Sequence, residues 1–204
     1  MRAHLRRFRS TYSFAALALA TAGMVAAGTT TANAAGYLYD VSGNTAPGGS
    51  FSGSSPHPMF RNGTSANLLS CATGTFSGSM PNVSNSTGVI GTFSGYTFSQ
   101  CTMPSGATAT VTATVRPAPL TVTGGAEISG KLPAGTLSVR IESPTCSYTL
   151  AQTTVLNWSI NHGNGFQLMG TLTPQDVKGS CNLVPPILFA HGGSFQPTVT
   201  SHPA

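Results

Sequence analysis

An all-β fold is what this sequence predicts: an antiparallel β-sandwich or jelly roll, with a closed β-barrel as the alternative. Three observations carry it. Apolar residues recur at every second position, and Gly, Pro and Asn clusters interrupt them about every ten residues. Four cysteines, Cys71, Cys101, Cys146 and Cys181, all lie downstream of a segment laid out like an export signal. Alternation of period two gives an extended chain one apolar and one polar face. One-sided alternation belongs to antiparallel sheets whose outer face meets water. Downstream of the signal no window carries a 3.6-residue apolar stripe, so helices are not expected.

The chain opens with Arg2, Arg6, Arg7 and Arg9, continues with the thirteen-residue apolar run Ala15–Ala27, and then reaches the small-residue triplet Ala32-Asn33-Ala34. A positive head, a short apolar middle and small residues before the cut define a secretory signal peptide, so residues 1–34 are assigned to it with cleavage after Ala34. Thirteen residues fall short of the roughly 20 that a spanning helix needs, so no transmembrane segment is expected in the mature protein. Residues 35–47 then form an N-terminal segment, 48–199 the sandwich domain and 200–204 a disordered tail.

Within the domain, Gly74-Thr-Phe-Ser-Gly78 recurs as Gly91-Thr-Phe-Ser-Gly95, with relatives at Gly49-Ser-Phe-Ser-Gly53 and Gly193-Ser-Phe-Gln196. A Gly turn opening a strand that drops one Phe into the core explains the repeat without a ligand. From Ala107 to Val115 every odd residue is Ala or Val and every even one is Thr. From Thr136 to Glu142, Leu137, Val139 and Ile141 share one face. The segments 154–160 and 166–172 place Leu156, Trp158 and Ile160, then Phe166, Leu168 and Leu172, on their inner faces. Asn161-His-Gly-Asn-Gly165 lies between them, so the pair reads as a hairpin with Trp158 in the core.

Of the nine Lys and Arg residues, four leave with the signal, whereas all four acids, Asp40, Glu127, Glu142 and Asp176, remain. The formal charge falls from +5 to +1. Without clustered Lys and Arg, nucleic acid is not an expected partner. An even number of cysteines in an exported chain reads as two disulfides. Three pairings are possible; Cys71–Cys101 with Cys146–Cys181 is preferred, because each bridge then closes one supersecondary unit. No Cys-x-x-Cys or Cys/His doublet supports zinc, and no cofactor or metal site is expected.

Catalytic signatures are weak. His57, His162 and His191 could partner Asp40 or Asp176, but Ser77 and Ser94 are not at the centre of a Gly-x-Ser-x-Gly elbow. A glycosidase needs two facing carboxyl groups, and nothing in the spacing of the four acids brings two together. Tyr37, Tyr39, Tyr96 and Tyr148 are the candidates for partly exposed aromatic contacts, with Tyr at sheet margins as the plainer reading. No residue is assigned a catalytic role. The expected function is that of a secreted, extracellular or cell-wall-associated, non-catalytic binding or surface protein. Its charge-poor, hydroxyl-rich surface suits cell-wall polysaccharide or protein edges. A secreted hydrolase with a carboxylate or His-based site is the alternative.

The order Gly48-Gly-Ser-Phe51, Leu69-Ser-Cys71, Gly88-Val-Ile90, Phe98-Ser-Gln-Cys-Thr102, Thr110-Val-Thr-Ala113, Gly130, Ser143-Pro-Thr-Cys146 and Val177-Lys-Gly-Ser-Cys181 resembles a family of small actinobacterial secreted proteins of unknown function. In that family a signal peptide precedes a Gly/Ser/Thr-rich β domain with four cysteines. The resemblance runs from Gly48 to about Pro197. It implies secretion and paired cysteines, and it offers no catalytic residue. Relatives have Cys-Thr-Gly-Pro where this chain has Cys101-Thr-Met-Pro104.

Overall fold

The computed structural model describes residues 37–63, 66–86, 88–123, 126–161, 165–194 and 196–204. The expected signal and its cleavage point lie outside them, as do His162 and Phe195. Regular structure among the described residues is β apart from one 3₁₀ turn, Pro47–Gly49. The strands are β1 (Tyr37–Ser42), β2 (Ser50–Pro56), β3 (Met59–Asn62), β4 (Ala66–Ser79), β5 (Val83–Ser86), β6 (Val89–Thr102), β7 (Thr108–Val115) and β8 (Ala118–Thr121). They continue as β9 (Ile128–Leu132), β10 (Leu137–Glu142), β11 (Cys146–Ala151), β12 (Leu156–Asn161), β13 (Gly165–Gly179), β14 (Ile187–Ser194) and β15 (Thr198–Pro203).

The three alternating segments become β7, β10 and the β12–β13 hairpin. In β10, Leu137, Val139 and Ile141 are buried while Ser138, Arg140 and Glu142 are not. In the hairpin, Trp158 faces Leu168 and Ile160 faces Phe166 across the antiparallel ladder. Trp158 is 2% exposed, as its alternation requires.

All pairings are antiparallel. They run in a ring through β3, β4, β6, β7, β10, β11, β13, β14 and back to β3. The ring is packed as a sandwich with a filled interior. Its long strands serve two neighbourhoods: β13 pairs with β12 over residues 165–169 and with β14 over residues 165–172, and then with β11 over residues 173–179. The change of partner occurs beside a bulge, where the register slips between Ser147 and Thr149 and Asp176 takes a positive φ of 50°. An extra residue of that kind bends a strand and increases its twist.

A second, three-stranded sheet runs β15-β1-β5. It corrects two expected boundaries. Residues 37–42 are a strand rather than a leading segment outside the domain, and residues 200–203, expected as part of a disordered tail, complete β15 opposite β1. The physical reason is burial: Tyr39, Val41 and Val199 are 2%, 2% and 6% exposed and join the common core.

That core is aromatic. Phe76 stacks on Phe166 at 4.7 Å, Phe60 lies 5.1 Å from Phe189, and Trp158 stacks on Phe166 at 6.3 Å. Two disulfides, Cys71–Cys101 and Cys146–Cys181, clip the fold at sequence separations of 30 and 35. The first joins directly opposed residues of β4 and β6. The second ties the start of β11 to the chain leaving β13. Two such bridges suit an oxidising environment.

Candidate functional site

Three buried side-chain polar atoms have no hydrogen-bond partner among the described residues: Tyr148 Oη, Trp158 Nε1 and His191 Nε2. A buried polar atom without a partner costs about 1–3 kcal/mol.

His191 comes from β14, where Ile187, Phe189 and His191 alternate inward with Leu188 and Ala190 outward. It is 3% exposed and shares a hydrogen bond through Nδ1 with the hydroxyl of Tyr96. Phe76 meets its ring edge-on at 5.2 Å. Burial in this aromatic surrounding lowers the imidazole pKa from 6.5 to about 4 and raises that of the Tyr96 phenol. The ring is therefore neutral at pH 7, and either neutral tautomer leaves Nε2 without a partner. The pair is a polar core contact packed between aromatic rings.

Tyr148 lies close to a cavity, although its hydroxyl is out of reach of solvent. It sits in β11, inward like Cys146 and Leu150, and is fully buried. Burial pushes its phenol pKa up to about 12, so the hydroxyl keeps its proton. It forms part of the wall of a cavity of 360 Å³. Four separate parts of the chain line this space: Asn62 of β3 with Asn67 and Leu68 of β4, the 103–107 turn after β6, residues 143–148, and the 180–183 stretch after β13. None of the lining residues is charged. Leu68, Met103 and Leu183 give it apolar surface; Asn67, Asn182 and several hydroxyls give it polar groups.

The wall formed by residues 180–183 has no strand pairing of its own and is fastened at several points. Cys181 is bonded to Cys146, and the Ser180 amide donates to the Thr145 carbonyl at 2.9 Å. Beyond it, the side chain of Asn62 donates to the Asn182 carbonyl at 2.7 Å and accepts from the Val184 amide at 3.0 Å. A planar amide that both donates and accepts in this way clamps the extended stretch without a helix or sheet.

The residues singled out from sequence mostly go elsewhere. Glu142 pairs with Arg140 at 3.2 Å on an outer face, and His57 and Asp176 are exposed at positions with positive φ. Glu127 lies in a separate groove beside β15. Asp40 meets His202 at 3.0 Å across the β1–β15 ladder, a pair that sequence reasoning did not anticipate because it depends on β15 being ordered. Ser77 and Ser94 are within β4 and β6 rather than on an elbow. Among the described residues no group of three or more His, Cys, Asp or Glu is placed to hold a metal ion.

The tyrosines require a correction. Tyr39, Tyr96 and Tyr148, expected as partly exposed contacts, are 2%, 4% and 0% exposed; Tyr37 is half-buried. Strand parity turns Tyr39 and Tyr148 inward, a register shift between β4 and β6 turns Tyr96 inward, and the packing of the sheets covers all three. No protein-family model, no curated protein and no solved structure matches this chain, so its function is read from its own geometry.

Proposed function

We propose that the chain is exported, loses residues 1–34, and acts outside the cytoplasm, free or associated with the cell wall, as a non-catalytic binding module. The binding site is the cavity beside the Cys146–Cys181 bridge. The observation that carries this reading is a concave space of 360 Å³ with no charged residue in its lining, walled by Leu68, Met103 and Leu183 together with the amides of Asn67 and Asn182. Apolar clefts with a few convergent polar groups are the usual form of small-molecule sites, which span about 300–1,000 Å³. The arginine-rich head, short apolar run and Ala32-Asn33-Ala34 support export, and two disulfides accord with it.

Both halves of the proposal have direct tests. N-terminal sequencing of the protein recovered from the culture medium or the wall fraction should begin at Ala35; an intact Met1 terminus on cell-retained protein would refute export. A fragment screen on the oxidised mature protein, monitored by amide chemical shifts, should give hits that move Leu68, Met103 and Leu183. Ser105→Trp, a substitution at an exposed position on the cavity rim, should abolish those hits while preserving the fold. A screen with no cavity hits would remove the binding assignment.

A further inference from the structure

We propose that the Cys146–Cys181 bridge is a site of thiol exchange: a small thiol attacks Cys181 Sγ, the bridge opens, and the cavity wall at residues 180–183 is released while Cys71–Cys101 stays closed. The inference concerns the covalent chemistry of that wall. It goes beyond the binding reading, which can fail without affecting it.

The two bridges differ in how the fold places them. Cys71 and Cys101 are 1% and 2% exposed and stand directly opposite each other in the β4–β6 ladder. Cys101 is also paired with Ala109 of β7, so a thiol reaches that bridge only when paired strands separate. Cys146 is similarly enclosed, 5% exposed in β11 with Gly179 opposite. Cys181 is the exception. It is half-buried, lies outside every strand and lines the cavity together with Cys146.

The stretch from Ser180 to Pro186, between β13 and β14, is fastened by individual hydrogen bonds instead of a ladder. The Ser180 amide donates to the Thr145 carbonyl, the Gly63 amide donates to the Pro186 carbonyl, and the Asn62 side chain holds Asn182 and Val184. Segments held in this way open locally at a lower free energy than the domain as a whole. Exchange depends on access to one of the two sulfurs. Opening of this stretch presents Cys181 Sγ with the sheets intact.

The exchange balances without an oxidant. The incoming thiolate bonds to Cys181 Sγ as the S–S bond breaks, and the Cys146 sulfur leaves with the electron pair and takes up a proton. A second thiol then displaces the first from Cys181, giving two protein thiols and the disulfide of the small thiol. Once the bridge is open, only the hydrogen bonds named above hold the wall. Cys181 takes part in no ladder among the described residues, so the strand pairing persists.

The test uses the oxidised mature protein in buffer without denaturant, glutathione as the thiol, trapping with N-ethylmaleimide at intervals and peptide mapping by mass spectrometry. Glutathione should appear first on the Cys181 peptide with Cys146 trapped as the free thiol, at least tenfold faster than Cys71–Cys101 opens. Equal rates for the two bridges, earlier opening of Cys71–Cys101, or a first adduct on Cys146 would overturn the proposal. Asn62→Ala removes two hydrogen bonds from the stretch and should speed the Cys181 reaction about tenfold with the Cys71–Cys101 rate unchanged. No acceleration, or equal acceleration of both bridges, would place the exchange in globally unfolded protein and refute local opening. In the selectively opened protein the amide resonances of Met103 and Leu183 should shift while those of Trp158 and Leu168 stay in place. Unchanged Met103 and Leu183 resonances would contradict release of the wall.

Discussion

His191 concentrates the consequences of placing a titratable group among aromatic rings. Its pKa falls from 6.5 in the unfolded chain to about 4 in the fold, with burial as the cause. Between those values the unfolded chain binds the proton and the native state does not, so stability is complete above pH 6.5 and declines as pH falls toward 4. Linkage puts the loss at about 3 kcal/mol by pH 4. Urea midpoints measured from pH 7.5 to pH 4 should show this decline, and His191→Gln, which keeps a polar partner for Tyr96, should flatten it. Carboxylates titrate in the same range, so the difference between the two proteins is the diagnostic quantity. Tyr148→Phe makes a contrasting prediction at the same scale. Removing a buried hydroxyl that lacks a partner should leave stability equal or higher by up to about 2 kcal/mol, read as an equal or higher urea midpoint.

At the level of strands, the repeated Gly-x-Phe-Ser-Gly pattern acquires a packing explanation. Phe51 faces Gly78, Gly53 faces Phe76, and Gly78 faces Phe93 across neighbouring strands. The same pairing recurs outside the repeat, with Gly130 opposite Trp158 and Phe166 opposite Gly193. Each large ring lies over a strand position with no side chain, so a narrow interior can hold many aromatics. A methyl group at Gly78 would approach the Phe51 ring to 2.8 Å, and one at Gly193 would come within 2.6 Å of the Ser54 carbonyl. At Gly192 the nearest atom would be 3.7 Å away, an ordinary contact. Gly193→Ala should therefore cost about 1–3 kcal/mol, and Gly192→Ala should stay within about 0.5 kcal/mol of the parent. Thermal midpoints of the two variants, adjacent in sequence, provide the comparison. Equal midpoints would mean that the close approach of the Ser54 backbone does not exclude a side chain at Gly193.

The whole domain depends on its two cross-links. The chain-entropy model gives about 3–4 kcal/mol for each loop of 30 to 35 residues. A Cys71→Ser/Cys101→Ser double variant should lose roughly that amount in chemical denaturation. The equivalent Cys146→Ser/Cys181→Ser protein should lose a similar amount and also its cavity, because Cys181 anchors one wall. Peptide mapping without reductant should recover the 71–101 and 146–181 pairs, and any other pairing would contradict the fold. Edges are the other feature at this scale. The outer strand β15 presents Thr, Val, Ser and His rather than the lysines that commonly guard an edge.

Much of this was legible before any coordinates. The all-β class, the half-buried strands at 107–115 and 136–142, the hairpin around Trp158 and the preferred cysteine pairing follow from period-two alternation and from spacing, which act over a few residues. The inward direction of His191 was also written in the alternation Ile187, Phe189, His191, and that of Tyr148 in Cys146, Tyr148, Leu150. Tyr96 was not, because the register shift after Ser77 sets Phe93 and Tyr96, three residues apart, on the same buried side. The order in residues 200–203 was hidden too, since a short polar strand is held only by a partner from the other end of the chain. Sequence by itself determined the fold class, because local periodicity selects the extended backbone. Tertiary structure decided where the site lies: Leu68, Ser105, Thr145 and Cys181, far apart in the chain, border one uncharged cavity only after the sheets close and the second disulfide fixes the last wall in place.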